Sequence, residues 1–176
     1  ERIRGMLDAV AQLNEDQALR TLLALVLATL RTGAYRTNGL PAEADCISFK
    51  FDGAAVPGMP RPVPLFEIFV AAPRVQGTHL RRGRVARGGL RWSDRVEDFR
   101  TEVLGLVKAQ QVKNAVIVPV GAKGGFVPLR LRPDMGRDDM QAEGIACYRI
   151  FVQAMLDLTD NIVDDATVAP AEVVCH

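Results

Sequence analysis

Apolar residues Ile3, Met6, Leu7, Val10 and Leu13 fall three or four positions apart, the spacing that gathers them on one stripe of a helix. A second helix follows NEDQ at 14–17, where Asn14 is set to cap with Gln17 three positions on, before leucines at helical spacing take over. Residues 1–36 are therefore predicted as two packed helices, and 32–45, with Gly33, Gly39 and Pro41, as a connection. Residues 46–52 alternate apolar and polar, and 64–73 form an apolar β-rich run; both predict strands, joined by a proline-rich loop. Residues 77–89 alternate weakly and end in two glycines, predicting a strand paired to the preceding one and then a tight turn where β structure pauses.

From Asp98 to about Val112, the spacing of Phe99, Val103, Leu104, Leu106, Val107 and Val112 predicts a helix led in by capping residues. AVIVPV at 115–120 is continuously apolar, as in a strand buried on both faces, and leads into the glycine-rich turn GAKGG. Ile145, Ala146, Tyr148, Ile150, Phe151, Ala154, Met155 and Leu158 predict a last amphipathic helix over 138–160. The order αα, β, β, β, α, β, α implies the α/β class, a mixed sheet flanked by helices with an N-terminal helical pair. There are no internal repeats.

Composition narrows the options. A chain of 176 residues with 48% hydrophobic and 24% charged residues suits one core-bearing globular domain. Its 22 basic and 21 acidic residues leave a net charge of +1, so no global field draws it to nucleic acid or an acidic membrane. Cys46, Cys147 and Cys175 are odd in number and lack CxxC spacing, which favours neither a disulfide framework nor a zinc site and fits a reducing cytoplasm. TLLALVLATL at 21–30 is about half a bilayer-spanning length and is predicted as a buried helix. The opening ERIRGML has no initiating Met and no signal pattern, so a fragment of something larger is expected.

Three stretches bear chemistry: ARGGLRW at 86–92, AQQVKN at 109–114 and PVGAKGG at 119–125. Glycines on both sides of Lys123 let a ligand approach the backbone beside an amine, although a solvated surface turn has the same composition. GAKGG is not a P-loop, because GxxxxGK[ST] is absent. Lys113 ends a predicted helix, where the helix dipole alone accounts for a cation, and Gln110 lies one turn before it. Arg81, Arg82, Arg84, Arg87, Arg91 and Arg95, with Trp92, admit a nucleic-acid reading. Near-neutral charge and the acidic residues Asp94, Glu97 and Asp98 oppose it. His79 and His176 lack metal-partner spacing, and Asp160, Asp164 and Asp165 lack that of an EF-hand.

Together, the block VARGGLRWSDRVEDFRTEVLGLVKAQQVKNAVIVPVGAKGGF, residues 85–126, resembles the glutamate dehydrogenases, most closely the large bacterial NAD-dependent class. The family motif K-G-G-x-R is matched by Arg87, Gly88, Gly89, Leu90 and Arg91, with arginine in place of the first lysine. Its helix-terminal lysine is matched by Lys113, and G-G-x-K-x-G by the stretch around Lys123. The resemblance implies that Lys123 is catalytic and that Arg87, Gly88, Gly89, Gln110, Lys113 and Gly121 bind substrate. It implies residues 1–41 as a helical lead-in and 42–176 as part of a substrate-binding domain.

The substrates so implied are L-glutamate, 2-oxoglutarate and ammonia, with no nucleic-acid or membrane partner and a homo-oligomeric parent in the cytoplasm. Cations on separate elements suit the two carboxylates of glutamate, and their crowding favours proton loss from one of them. NAD is expected to bind a domain outside this chain, since no GxGxxG follows a strand here. Another amino-acid dehydrogenase, an arginine-rich module for nucleic acid or an acidic partner, and an oligomerisation piece are the alternatives. The 176-residue chain alone is expected neither to oxidise glutamate nor to bind NAD appreciably; turnover by the purified chain contradicts this.

Overall fold

A computed structural model describes residues 2–36, 46–84, 87–113 and 120–176, the side chains of 111–113 excepted. Helices α1 (Arg2–Leu7) and α2 (Leu13–Ala28) lead into β1 (Thr29–Thr32), β2 (Ile47–Asp52), β3 (Phe66–Ala71), β4 (Val75–Arg81) and β5 (Leu90–Trp92). Then come α3 (Phe99–Lys113), β6 (Ala122–Pro128), α4 (Arg137–Asp157), β7 (Asn161–Val163), β8 (Ala166–Val168) and β9 (Val174–Cys175). Seven strands form one sheet in the order β5-β6-β4-β3-β2-β1-β9, with β5 and β6 parallel and the other neighbours antiparallel. The chain is thus α/β with a mixed sheet, as the pattern predicted.

Alternation along the strands divides the sheet into two faces. Ile68, Val70, Val75 and Phe126 look toward α4, whose Cys147, Phe151, Ala154 and Leu158 complete the larger core. Gly77 lies under this helix; a Cβ there would come within 2.5 Å of Phe151. On the other face Leu80 packs with Val103, Leu104 and Val107 of α3. A fork from Arg74 grips Glu143 at 2.8 and 2.6 Å, ties α4 to the β3–β4 turn, and holds that carboxyl below its ordinary range. Burial pushes the neighbouring Cys147 thiol up to about 12.

Several expectations are corrected. Helix α2 starts at Leu13, with Gln12 rather than Asn14 at the cap position and no side-chain capping bond. It ends at Ala28, because Thr29–Thr32 pairs with β2 and β9, and the β-branched Thr29 and Thr32 are buried there. The apolar run in α2 is not buried: Leu22, Val26 and Leu27 are about 60% exposed or more. That helix meets the sheet along a narrow strip, so half its apolar circumference faces outward. β structure also resumes at β5 and again after α4. Asp164 and Asp165, with φ of 49° and 62°, form the two-residue turn between β7 and β8, where positive φ at both positions suits a hairpin of primed type. The predicted strand over 115–119 lies outside the described residues, as does most of the predicted connection 32–45.

His79 on β4 sits opposite Ile68 on one side and Gly124 on the other. Burial, with Arg81 adding to it, brings its imidazole from 6.5 down to about 4. The unfolded chain therefore takes up a proton between those values that the folded chain refuses, and stability falls as pH drops through that window. Urea titrations are expected to lose about 2 kcal/mol between pH 7 and pH 4.5 from this residue, and His79→Gln to remove that slope. Parallel profiles for the two proteins contradict it.

Candidate active site

The site is built on one short parallel ladder. Leu90, Arg91 and Trp92 lie opposite Gly124, Gly125 and Phe126, and an isolated bridge joins Arg87 to Gly121. The offset is 34 at every pair, so Gly89 stands opposite Lys123. Backbone bonds from Ala122 N to Arg87 O (3.3 Å) and from Gly124 N to Gly89 O (3.2 Å) hold this register. On its other edge β6 pairs with β4, where Leu80 faces Lys123.

GAKGG is therefore not a turn beyond a strand; its last four residues belong to β6 itself. The glycines are required by close packing rather than by chain reversal. A Cβ on Gly88 would overlap the Ala122 carbonyl oxygen, and one on Gly125 would lie 2.5 Å from the Val103 methyl. One on Gly124 would lie 2.5 Å from Leu90 and 2.9 Å from the His79 ring. The Gly121 position abuts a movable polar group, Gln110, whose Oε1 would be 2.7 Å away.

Gly121 and Gly125 touch α3 residues Gln110 and Val103, so Lys123, between them in alternation, extends on the α3 face. Its Nζ comes within 4.0 Å of where a Cβ of Gly89 would stand, putting the amine over the bare backbone of the RGG segment. Gln110 reaches across with Nε2 donating to Arg87 O at 3.4 Å. Its Oε1 is buried and has no donor among the described residues. A buried acceptor without a partner is costly, on the order of 1–3 kcal/mol, and is an available position for an N–H group of a ligand. Arg87, Gly88 and Gly89 are exposed, and Lys123 and Gln110 partly so. The backbone of Lys113 closes α3 one turn after Gln110; its side chain lies outside the described residues. Among the predicted site residues, Arg87, Gly88, Gly89, Gln110, Gly121 and Lys123 are brought together.

Pattern reading missed the groups that fix α3. Glu67, nearly buried within the apolar strand β3, receives a fork from Arg100 at 2.8 and 2.6 Å and the Thr78 hydroxyl at 2.9 Å. Glu102 pairs with Arg91 and accepts from Ser93 Oγ at 2.7 Å, while Ser93 N donates to Phe126 O at 2.9 Å. Both carboxylates thereby lock the helix to strands that carry the site. The available signal was a lone glutamate in FEIFVA: a charge in a buried strand requires a partner. Among the described residues no cluster of His, Cys, Asp and Glu is arranged to hold a metal ion, and no helix is long and apolar enough to cross a membrane.

Two alanine substitutions separate packing glycines from a merely helical one. Gly88→Ala is expected to cost about 3 kcal/mol or more, because the obstructing atom is backbone. Gly105→Ala on α3, with nothing within 4 Å, is expected to gain on the order of 0.5–1 kcal/mol from helix propensity. Equal shifts in urea midpoint for both contradict the close approach at Gly88.

The family model for the bacterial NAD-glutamate dehydrogenase catalytic domain matches residues 2–176. An NAD-specific glutamate dehydrogenase of Pseudomonas aeruginosa is 63% identical over 176 residues, covering 100% of this chain. Proteins of that name from Halomonas elongata and Mycobacterium tuberculosis are 59% and 54% identical, over 99% and 96% of the chain. The chain spans 11% of the length of each relative. It belongs to the bacterial NAD-glutamate dehydrogenase family, within the catalytic domain.

Proposed function

We propose that this chain is part of the substrate-binding region of an enzyme that converts L-glutamate, water and NAD to 2-oxoglutarate, ammonia, NADH and a proton. Residues 1–41 lead into that region, and 42–176 carry the substrate contacts. The observation that carries the proposal is the amine of Lys123 lying over Gly89 beside the unpartnered Oε1 of Gln110. Arg87, from the segment that pairs with β6, and Lys113, from the end of α3, bind the two carboxylates of the substrate. Cations on separate elements fix both ends of a dianion and orient its α-carbon. Arg87 presents a planar fork where a lysine would present a point charge, which suits a bidentate carboxylate contact. Gly89 leaves the backbone bare for substrate under the Lys123 amine, while Gly88 and Gly121 allow the close packing against Ala122 and Gln110 that shapes this side of the site.

Lys123 acts at the reacting end. Its amine takes a proton from the attacking water, and its ammonium form stabilises negative charge developing on the substrate oxygen. Gln110 accepts a hydrogen bond from the substrate amino group.

The described residues do not suit the dinucleotide itself. A pyrophosphate needs a glycine turn opening onto a helix N-terminus. Here the glycines of 121–125 lie in or beside a strand paired on both edges and packed by Leu90, His79 and Val103. NAD is accordingly assigned to another part of the longer protein.

Substitutions in the longer enzyme test these roles. Lys123→Ala is expected to lower kcat roughly 100-fold or more, the ordinary size of a lost general acid-base group. Arg87→Ala is expected mainly to raise KM for glutamate. A kcat within threefold of the parent for Lys123→Ala overturns the catalytic assignment, and tighter binding of leucine than of glutamate overturns the dicarboxylate one.

A further inference from the structure

We propose a second anion site on the opposite face of the sheet, where Lys50, Arg81 and His79 surround Phe66 and take a small oxyanion, the phosphate or carboxylate of a metabolite. The ladder sets the geometry. Lys50 on β2 is opposite Ile68 on β3, which is opposite His79 on β4. One step along the same face, Phe66 is opposite Arg81. Ile68 belongs to the core under α4, so all four look to that face, while Lys123 and Leu80 look to α3. Lys50 and His79 stand two strand spacings apart, roughly 10 Å between backbones, a gap that lysine and arginine side chains reach across.

Among the described residues neither Lys50 nor Arg81 has a carboxylate in direct contact, and Asp160 acts on Lys50 only from a distance. Lys50 Nζ rests 4.5 Å from the centre of the Phe66 ring, which favours a cation but accepts no N–H bond in the manner of an oxygen. Arg81 donates one Nη2 bond, to Arg84 O at 2.8 Å, and its Nε is buried without an acceptor. His79 Nδ1 is likewise buried without a partner. The nearest acidic groups are otherwise engaged. Asp160 pairs with Arg31 at 2.8 Å, and Asp52, on the same face as Lys50, accepts from Ala54 N at 2.9 Å. Among the described residues no carboxylate reaches Lys50 or Arg81 within ion-pairing distance.

Electrostatics agree with that inventory. Burial, then Arg31 and Arg81, push the Lys50 ammonium below the ordinary lysine range. Buried donors and like charges without an anion raise the energy of the site, and an oxyanion relieves both at once by accepting from Arg81 Nε, Lys50 Nζ and a protonated His79. The flat Phe66 ring between the cations supplies an apolar floor.

The test is a nuclear magnetic resonance titration of the 176-residue chain in chloride buffer. One arm adds inorganic phosphate and the other adds succinate, a carboxylate source. Saturable shifts confined to Lys50, Phe66, His79 and Arg81 are expected in at least one arm, together with a rise in the His79 titration midpoint. Saturation with phosphate alone identifies a phosphate-bearing ligand, and with succinate alone a carboxylate. Lys50→Met and Arg81→Met should each weaken binding at least fivefold, and Lys123→Ala should leave it unchanged. Linear, unsaturable shifts in both arms overturn the proposal, as does an unaltered His79 midpoint in the unmodified chain.

Discussion

The parallel pairing of residues 87–92 with 121–126 is the constraint on which the rest of this molecule depends. Two backbone bonds and one isolated bridge hold a segment of arginines and glycines against β6, along one edge of the sheet. Parallel pairing is disfavoured between segments joined by a short turn, because the chain must cross from one end to the other. Here α3 supplies that crossing and then becomes a wall of the site. The same register that carries Gly89 to Lys123 also carries Arg91 to Gly125 and Trp92 to Phe126, so a slip of one residue would turn every side chain to the other face.

Glycine is what makes the pairing close enough. Four backbone positions along the ladder lie where a Cβ would meet Ala122, Leu90, Val103 or Gln110. In a free chain these glycines have large conformational entropy, which opposes folding. Two carboxylates, Glu67 buried and Glu102 partly so, offset it. Glu67 with Arg100 and Glu102 with Arg91 pin α3 from opposite sides. Removing Arg100 leaves the Glu67 charge buried, so the effect of that pair exceeds that of an exposed salt bridge. The helix is therefore a positioned element, and Gln110 is held at a fixed height above the ladder.

Much of this was readable from the residues. Three- and four-residue spacing located α3 and α4 to within one or two residues at their starts, and alternation located β2, β3 and most of β4. The candidate site residues were found by motif, and six of the seven converge. Failures had physical causes. GAKGG has the composition of a turn, and only tertiary packing makes its glycines part of a strand. β5 and β9 are too short for periodicity to register, and β1 interrupts a helical leucine pattern because sheet pairing overrides local propensity. The exposed apolar side of α2 shows the converse, since hydrophobicity alone does not say which face meets a core. Ion pairs such as Glu67 with Arg100 join residues 33 positions apart, a separation no local pattern encodes.

The two faces of the sheet also divide the chemistry. On the α3 side an amine, an amide acceptor and bare backbone meet around Lys123, and on the α4 side a separate group of cations surrounds Phe66. The α4 side needs β2, β3 and β4 as neighbours, and the α3 side needs the segment 87–92 paired with β6. Amide hydrogen exchange at Ala122 and Gly124 measures that arrangement most directly. Bonds to Arg87 O and Gly89 O predict slow exchange at both, with a nuclear Overhauser contact from the Gly124 amide proton to Leu90. Exchange at the rate of an exposed glycine loop, with no such contact, would contradict it.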